Sequence, residues 1–240
     1  EAIDRPVGYC ERNGIDHLAA SPQVILPGYL LRAFGVLFYY AFISFSKPWK
    51  ARDPRSRYFI GVGAFNLVRR DAYLAIGGHE QLRLRPDDDM KLGKVLKRSG
   101  FQQDAVDGTG QVRVEWYRSL GEMIRGFEKN MFSGVDYSVA LSLLGGLAQL
   151  ALGVAPLAAI AFVGGSAQLL LGAQIAVSLL AFGILARRVG VSPAVAPAYP
   201  IVVALFVYIL WRTMILNLVQ GGLRWRGTFY SLRELKANRV

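Results

Sequence analysis

Three consecutive carboxylates, Asp87 to Asp89, stand directly before a helical pattern in the stretch RPDDDMKLGKVLKRSG, residues 85–100. An acidic side chain at a helix start can satisfy unpaired backbone N–H groups and the positive end of the helix dipole. One carboxylate is enough for that role. Three adjacent carboxylates repel one another, so the cluster also fits a place beside something cationic: a metal ion, a cofactor's ion or a proton to be removed. These residues alone leave both interpretations open.

Charge and hydrophobicity divide the chain into two parts. The 240 residues are 53% hydrophobic and 19% charged, with a net charge of +11. Residues 138–186 and 189–211 carry no charged side chain, whereas residues 47–133 are dense in Arg, Lys, Asp and Glu. This pattern predicts a water-exposed part that precedes a membrane part. No signal peptide is visible, and the opening EAIDRPVGYC looks like the middle of a fold, so we expect the chain to be the C-terminal portion of something longer.

The polar part alternates helical and strand-like patterns. Residues 4–13 have a helical pattern, and the strand-like run HLAASPQVIL follows them. The run YFIGVGAFNLV, residues 58–68, is β-branched and aromatic, and its Gly61 and Gly63 are typical of a buried strand that a backbone or ligand approaches closely. The sequence FQQDAVDGTGQVRVEWY predicts a strand, a glycine turn and another strand. The alternation indicates an α/β fold.

Two helices of the polar part frame the acidic cluster. A short helix over residues 71–76 is predicted to stop at Gly77 and Gly78. The helix that follows the cluster, residues 88–99, is expected to end at Gly100. The acidic cluster therefore follows one predicted helix and begins the next.

Residues 28–46, GYLLRAFGVLFYYAFISFS, form the first long apolar segment. Its only charge is Arg32, and it is long enough to cross a bilayer. Its Tyr and Phe content and the Lys47, Trp49 and Lys50 edge equally suit a helix in the headgroup region. We favour the interfacial interpretation and keep the transmembrane one as the alternative.

The segment RSLGEMIRGFEKNMF, residues 118–132, has apolar side chains at helical spacing with charged side chains opposite them. An amphipathic helix directly before a membrane span fits the membrane interface, so we assign residues 118–137 to an interfacial helix. An ordinary core-facing helix would show the same spacing. Both explanations remain possible from sequence.

The apolar part predicts transmembrane helices within residues 138–219, and a basic tail over 220–240 follows. The spans are predicted at about 138–163, 167–186 and 197–219. Arg187 and Arg188 mark a cytoplasmic end, and so does the basic tail, although one crossing separates the two marks. Either the third segment, which contains Arg212 and Asn217, does not cross simply, or one orientation signal is misleading.

The order of these motifs resembles the membrane-bound family 2 glycosyltransferases of GT-A fold, especially bacterial ones that glycosylate lipids. The stretch GAFNLVRRDAYLAIGGH, from Gly63 to His79, resembles the family's strand before the acceptor side. Asp88 and Asp89, followed by MKL, resemble its Glu-Asp pair. The tail RWRGTFY, residues 224–230, resembles an element that follows the last span in such enzymes. The resemblance covers most of residues 1–137 and the tail.

By this resemblance residues 1–117 are the C-terminal part of a GT-A catalytic domain, ahead of an α-helical transmembrane region. Asp89 would be the general base that deprotonates an acceptor hydroxyl, with Asp88 as its neighbour. The family's first residue is Glu rather than Asp, so the assignment could slip by one, to Asp87 or Asp88. A sugar acceptor's hydroxyl is a weak nucleophile, which is why such a transfer needs a carboxylate within hydrogen-bond reach.

The resemblance also implies substrate-binding residues at Gly63, Gly77, Gly78 and Arg125. Arg125 comes from Glu122-Met-Ile-Arg125-Gly-Phe, where the family has Gln/Arg-x-x-Arg-Trp; the altered motif argues for transfer of a single sugar. A divalent metal, Mg²⁺ or Mn²⁺, is expected with ligands mostly outside this chain, because the family's Asp-x-Asp motif is not visible. The present residues alone would then be inactive.

The function predicted is transfer of a sugar from a nucleotide-sugar donor to a lipid or lipid-linked acceptor, with inversion, at the cytoplasmic face of a bacterial inner membrane. The alternative is a non-catalytic membrane protein whose basic surface binds anionic lipid headgroups or partners. A transporter is disfavoured because the spans lack ionisable residues except Arg212. Nucleic-acid binding is disfavoured because the positive charge adjoins membrane segments. A lone Cys10, with His17 and His79 far apart in sequence, argues against a structural metal centre.

Overall fold

The computed structural model describes residues 3–83, 85–225 and 227–237. The chain divides into two compact units. The first comprises Glu1–Ile25, Phe42–Trp116 and Arg233–Val240, and the second comprises Leu26–Ala41 and Tyr117–Leu232. The mixed helix and sheet content agrees with the predicted α/β polar part ahead of a helical part.

The α-helices, in chain order, are α1 (Asp4–Asn13), α2 (Tyr29–Ser46), α3 (Arg70–Ala75), α4 (Asp88–Arg98), α5 (Leu120–Phe127), α6 (Val139–Gly153), α7 (Ala155–Ala159), α8 (Gly165–Arg188), α9 (Tyr199–Val219) and α10 (Leu232–Ala237). The β-strands are β1 (His17–Ser21), β2 (Gln23–Ile25), β3 (Asn66–Val68), β4 (Gln103–Asp107), β5 (Arg113–Glu115), β6 (Gly222–Trp225) and β7 (Thr228–Ser231). Short 3-10 turns occur at Pro48–Lys50, Glu80–Leu82, Ser133–Val135 and Pro193–Ala198.

A three-stranded mixed sheet in the order β3-β1-β4 organises the first unit. Strand β1 pairs antiparallel with β3, His17 opposite Val68, and parallel with β4, His17 opposite Gln103. Strands β4 and β5 both occur where the sequence predicts them, yet they are not partners of each other: β5 pairs in parallel with β2. The glycine turn between them therefore redirects the chain from one sheet to the other.

The predicted strand over residues 58–68 is paired only at β3. The segment before it, residues 60–63, instead runs against helix α4. A β-carbon at Gly93 of α4 would lie 1.8 Å from the Ile60 carbonyl oxygen, and one at Gly61 would lie 1.9 Å from the Asp89 carbonyl oxygen. No side chain fits at either contact. The two glycines therefore allow the backbone of the 60–63 segment to pack directly on the backbone of α4, and the segment does not pair as a strand.

Apolar packing holds the first unit together, as the following clusters of described residues show. One joins α3 and α4 and contains the buried residues Ala72, Ile76, Leu82, Leu92, Val95 and Leu96. The other, built on Ala19, Ala51 and Ile60, lies beside the 60–63 segment. Helix α4 contributes its apolar face to the first cluster, so its N-terminal turn, which contains the acidic residues, is fixed in place by packing at the rest of the helix.

Three helices of the described chain are long and apolar enough to cross a membrane: Tyr29–Lys50, Gly165–Arg188 and Pro193–Val219. The predicted span over 138–163 is not one helix. It divides at Val154 into α6 and the five-residue α7. Pro156 explains the break, because proline has no N–H for the helical ladder and its ring clashes with the carbonyl four residues earlier.

Helix α9 is continuous over its length, so a break in this helix does not explain the conflicting orientation signals noted above. Its Arg212 forms an ion pair with Glu128, directly after α5. A charged side chain in an apolar helix is costly unless it is paired, and this partner accounts for its presence. Helix α6 packs on α9, with Trp211 Nε1 donating to the Ser142 carbonyl at 2.9 Å.

Helix α5 is shorter than predicted, and protein covers its apolar side. Met123 and Phe127 are buried, and the Phe127 ring lies 5.6 Å from Phe34 and 4.9 Å from Phe38, centroid to centroid. Both partners belong to α2. These contacts favour the core-facing alternative, and the interfacial location of residues 118–137 stays a prediction.

The tail forms the antiparallel hairpin β6-β7, with Gly227 at its turn in a left-handed conformation. The Arg224 guanidinium lies over the Phe229 ring, 5.8 Å from its centroid. One residue of the RWRGTFY motif, Arg226, lies outside the described part of the chain, as do residues 1–2 and 238–240.

Candidate functional site

The carboxylate of Asp89, on the first turn of α4, lies against Gly63. A β-carbon at position 63 would be 3.0 Å from Asp89 Oδ2. One Asp89 oxygen, Oδ1, accepts a hydrogen bond from the Met90 N–H at 2.8 Å. Asp89 is half-buried and Gly63 is exposed, so the carboxylate lies at an opening rather than in the core. Two residues that the sequence places 26 positions apart are thus brought into one site.

The environment of Asp89 makes it a stronger base than an ordinary aspartate. Burial raises the pKa of this carboxyl, and the charges of Asp88 and Asp87 act in the same direction. Hydrogen bonds from the Met90 and Gly63 backbones oppose the shift without cancelling it. A carboxyl whose pKa is raised in this way is a recurrent feature of acid–base sites.

The three aspartates of the cluster have different roles. Arg85 is buried and donates two hydrogen bonds, of 2.9 and 3.0 Å, to the Asp87 carboxylate. Lys91 Nζ lies 3.6 Å from the same carboxylate. Asp88 is exposed, and its Oδ1 accepts from the Asp89 N–H at 3.0 Å. Because two cations neutralise Asp87, the slipped assignment of the base to that residue is disfavoured.

A buried polar network that the sequence analysis did not single out anchors the segment facing Asp89. His17 is fully buried between two amides, with Nε2 3.1 Å from Asn66 Oδ1 and Nδ1 2.9 Å from Gln103 Nε2. Gln103 Nε2 can only donate, so Nδ1 accepts and Nε2 carries the hydrogen. Burial lowers the pKa of this imidazole, which agrees with a neutral ring.

The same two amides bind the 60–63 segment directly. Asn66 Oδ1 accepts from the Val62 N–H at 3.1 Å, and Gln103 Oε1 accepts from the Ile60 N–H at 3.4 Å. Gln103 Nε2 also donates to the Gly93 carbonyl of α4. The network therefore fixes the segment and the helix together. Polar residues at the start of otherwise strand-like runs, as in HLAAS and QDAVD, are the sequence signal that could have revealed it.

Gly77 and Gly78 end helix α3 in the way the sequence predicts. The Gly77 N–H donates to the Leu74 carbonyl and the Gly78 N–H to the Tyr73 carbonyl, and both glycines have positive φ, 73° and 61°. This is the Schellman arrangement, for which glycine is favoured. A β-carbon at Gly78 would also lie 3.1 Å from the Tyr73 ring. Helix termination accounts for both glycines, and their substrate-binding role remains a prediction.

Arg125 belongs to the second unit, on the exposed side of α5. Its neighbour Gly126 is close to an aromatic ring: a β-carbon there would be 2.3 Å from Tyr117 Cε1. Local packing therefore requires glycine at position 126, because the Tyr117 ring occupies the space of a side chain.

The described residues offer no group of three or more His, Cys, Asp or Glu side chains that could hold a metal ion. Of the acidic cluster, Asp87 is already neutralised by Arg85 and Lys91, which leaves two carboxylates. A divalent metal usually needs more oxygen ligands than that. The acidic cluster alone therefore does not form a metal site, and the expected metal, whose ligands are predicted to lie mostly outside this chain, stays a prediction.

Neither a family model, nor a curated protein, nor a solved structure matches this chain.

Proposed function

We propose that the protein is a membrane glycosyltransferase that moves a sugar from a nucleotide-sugar donor to the hydroxyl of a lipid or lipid-linked acceptor. The observation that supports this most is the half-buried Asp89 carboxylate, whose pKa burial raises, next to the bare backbone of Gly63. The long apolar helices support a membrane location. The bacterial inner membrane and a catalytic part on its cytoplasmic side belong to the proposal.

In this proposal Asp89 accepts the proton of the acceptor hydroxyl while that oxygen forms its bond to the anomeric carbon. The bond between that carbon and the donor's phosphate oxygen breaks, and the nucleoside diphosphate leaves with its electron pair. Attack from the face opposite the leaving group inverts the anomeric centre. A general base contributes about 10²–10⁴-fold to such a step. Gly63 leaves the space in which an acceptor oxygen could approach the carboxylate.

The test compares Asp89→Asn with Asp88→Asn in the purified full-length protein. Radiolabelled UDP-glucose, UDP-N-acetylglucosamine and GDP-mannose are offered with total membrane lipid, and label in the organic phase is measured. Asp89→Asn should reduce transfer by about 10² or more, because the amide cannot take a proton. Asp88→Asn should retain most activity, because its side chain is exposed and an amide oxygen can still accept the Asp89 N–H. Donor binding should survive in both variants.

Equal activity of the two variants would reject Asp89 as the base. No transfer by the wild type from any donor would favour the alternative, a non-catalytic membrane protein that binds anionic headgroups through its basic surface. The high net charge supports that alternative, but it gives no reason for three adjacent carboxylates. The transfer assay therefore separates the two classes of function.

A further inference from the structure

Three cations of the first unit surround one half-buried aromatic ring, that of Tyr58. Around the Tyr58 ring, Lys47 Nζ lies 4.8 Å from the centroid, Arg57 Cζ 5.4 Å and Lys50 Nζ 5.7 Å. We call Lys47, Lys50, Arg57 and Tyr58 the basic cluster. Each cation is within the distance at which the face of an aromatic ring attracts a positive charge.

No carboxylate of the described residues lies within ion-pair distance of the basic cluster. Residues 47–58 contain five Lys or Arg side chains and one acid, Asp53. Within the described chain, none of the three clustered cations forms an ion pair, whereas the nearby Arg52 pairs with Asp104 at 3.4 Å. Cations this close repel one another, so a bound anion would stabilise the arrangement.

The surroundings of the cluster indicate where such an anion would be found. The long apolar helix Tyr29–Lys50 ends within the cluster. Phe45 and Trp49, which flank Lys47 in sequence, are 70% and 63% exposed, more than large apolar side chains normally are in water. Aromatic side chains beside Lys and Arg at the end of an apolar helix are typical of the headgroup level of a bilayer.

We propose that Lys47, Lys50 and Arg57 bind the phosphate of an anionic phospholipid headgroup, with Trp49 and Phe45 inserted at the level of the upper acyl chains. The site is independent of sugar transfer and would exist in either class of function. Lys47 adopts φ 45°, and this left-handed conformation separates the end of α2 from the Pro48–Lys50 turn. The bend brings both lysines to the same ring.

The ionisation of Tyr58 agrees with a strongly positive site. Hydrogen bonds from Lys47 and Arg57 lower the pKa of its hydroxyl to about 8. At neutral pH a hydroxyl with this pKa is still mostly protonated, so Tyr58 does not balance the cations, and a phosphate oxygen could bind the same donors. The cluster thus contains donors that already favour a negatively charged oxygen.

The experiment uses Trp49 as the reporter in the full-length protein reconstituted into lipid nanodiscs. Discs contain phosphatidylcholine with an equal, small fraction of dibrominated phosphatidylglycerol or dibrominated phosphatidylcholine. The difference between wild type and Trp49→Phe isolates the Trp49 emission. We expect at least twofold stronger quenching of that emission by the brominated anionic lipid, because the cluster concentrates it beside Trp49.

In the triple variant Lys47→Gln, Lys50→Gln, Arg57→Gln, the two brominated lipids should quench the Trp49 emission equally. A matched control, Arg5→Gln, Arg12→Gln, Arg113→Gln, removes the same charge from exposed positions of the first unit and should keep the preference. The single variant Lys50→Gln replaces the triple one if that does not fold, and its preference should be reduced.

Three results would overturn the proposal. The first is equal quenching by both lipids in the wild type, and the second is a preference that the triple variant keeps. The third is loss of the preference when inorganic phosphate is added at an ionic strength matched with chloride, since this would mean that the cluster binds free phosphate. Persistence of the preference in phosphate supports the lipid headgroup as the ligand.

Discussion

The α-carbon of Gly63 faces the carboxylate of Asp89 so closely that a β-carbon there would lie 3.0 Å from Asp89 Oδ2. A second glycine two residues earlier, Gly61, faces the Asp89 carbonyl instead, where a β-carbon would lie 1.9 Å away. One glycine therefore opens space at a side chain, and the other permits contact between two backbones. Substitution by alanine should therefore have different effects at the two glycines.

Gly63→Ala should reduce sugar transfer about tenfold or more with only a small loss of stability, because the carboxylate must move by a few tenths of an ångström and positioned groups are sensitive to such shifts. Gly61→Ala should instead lower the melting temperature by several degrees, since neither backbone can retreat cheaply. Thermal unfolding in detergent and the transfer assay separate the effects. Gly8→Ala on α1, which meets only the flexible end of Arg12, is the control. An unaffected Gly63→Ala enzyme would contradict the site.

Asp89→Asn should raise the melting temperature at neutral pH. The folded pKa of Asp89 is raised, so the half-buried carboxylate costs stability once the pH exceeds the unfolded pKa, and this cost grows as the pH rises through the folded pKa. The neutral amide avoids that cost. At a pH below the unfolded pKa the wild-type carboxyl is protonated in both states, so the difference should disappear.

The measurement is thermal unfolding of both proteins from acidic to neutral pH. Asp88→Asn is the control, because Asp88 is exposed and should show little change. A wild-type protein that is more stable than Asp89→Asn at neutral pH would mean that the carboxylate is a structural helix cap rather than a strained functional group.

Acid should destabilise the first unit through His17. Its folded pKa is lowered, so the stability it contributes is complete above the unfolded pKa and is lost as the pH falls through the folded pKa. Protonation would also give Nδ1 a hydrogen that faces the Gln103 amide hydrogens. Histidine hydrogen–deuterium exchange at the ring, followed with pH, should report a pKa below that of a free imidazole.

Gln103→Leu tests the same network without changing pH. It leaves the Ile60 N–H and His17 Nδ1 without their partner, and each unsatisfied buried polar group costs about 1–3 kcal/mol. We expect a loss of unfolding free energy of at least that size and a displaced 60–63 segment. Gln102→Leu, one residue earlier and only half-buried, is the matched control. Equal stability of the two variants would show that the network does not hold the segment.

Local patterns in the sequence predicted individual elements of the first unit well. Helix α1 has the predicted bounds, and α4 differs by one residue at its end. Capping residues, glycine stops and helical periodicity lie within a few residues of one another, so a sequence shows them directly. No local pattern predicted the proximity of Gly63 and Asp89, because the packing of one backbone on another depends on distant residues; only the family resemblance assigned both residues to one site.

The remaining features could not be predicted because they depend on long-range partners. The strand pairing of β4 with β1 rather than β5 joins residues more than 80 positions apart. The His17 network likewise joins three strands. The break at Val154 could have been predicted locally, because Pro156 lies two residues later in a segment whose composition otherwise suits a span.

The contact between α6 and α9 gives a prediction for the second unit. A β-carbon at Gly146 would lie 2.5 Å from Trp211 Nε1, the atom that donates to the Ser142 carbonyl. Gly146→Ala would therefore displace the indole and break that bond, at a cost of about 1–3 kcal/mol. Gly145 precedes it on the same helix and has nothing within 4 Å.

Gly145→Ala should be neutral or stabilising, because alanine is favoured over glycine in a helix by about 1 kcal/mol. The two neighbouring variants thus have opposite expected signs although they make the same chemical change. Thermal unfolding in detergent, with Trp211 fluorescence followed alongside, measures both. A melting temperature that falls equally in the two variants would contradict close packing of α6 on α9, because only one of the glycines faces Trp211.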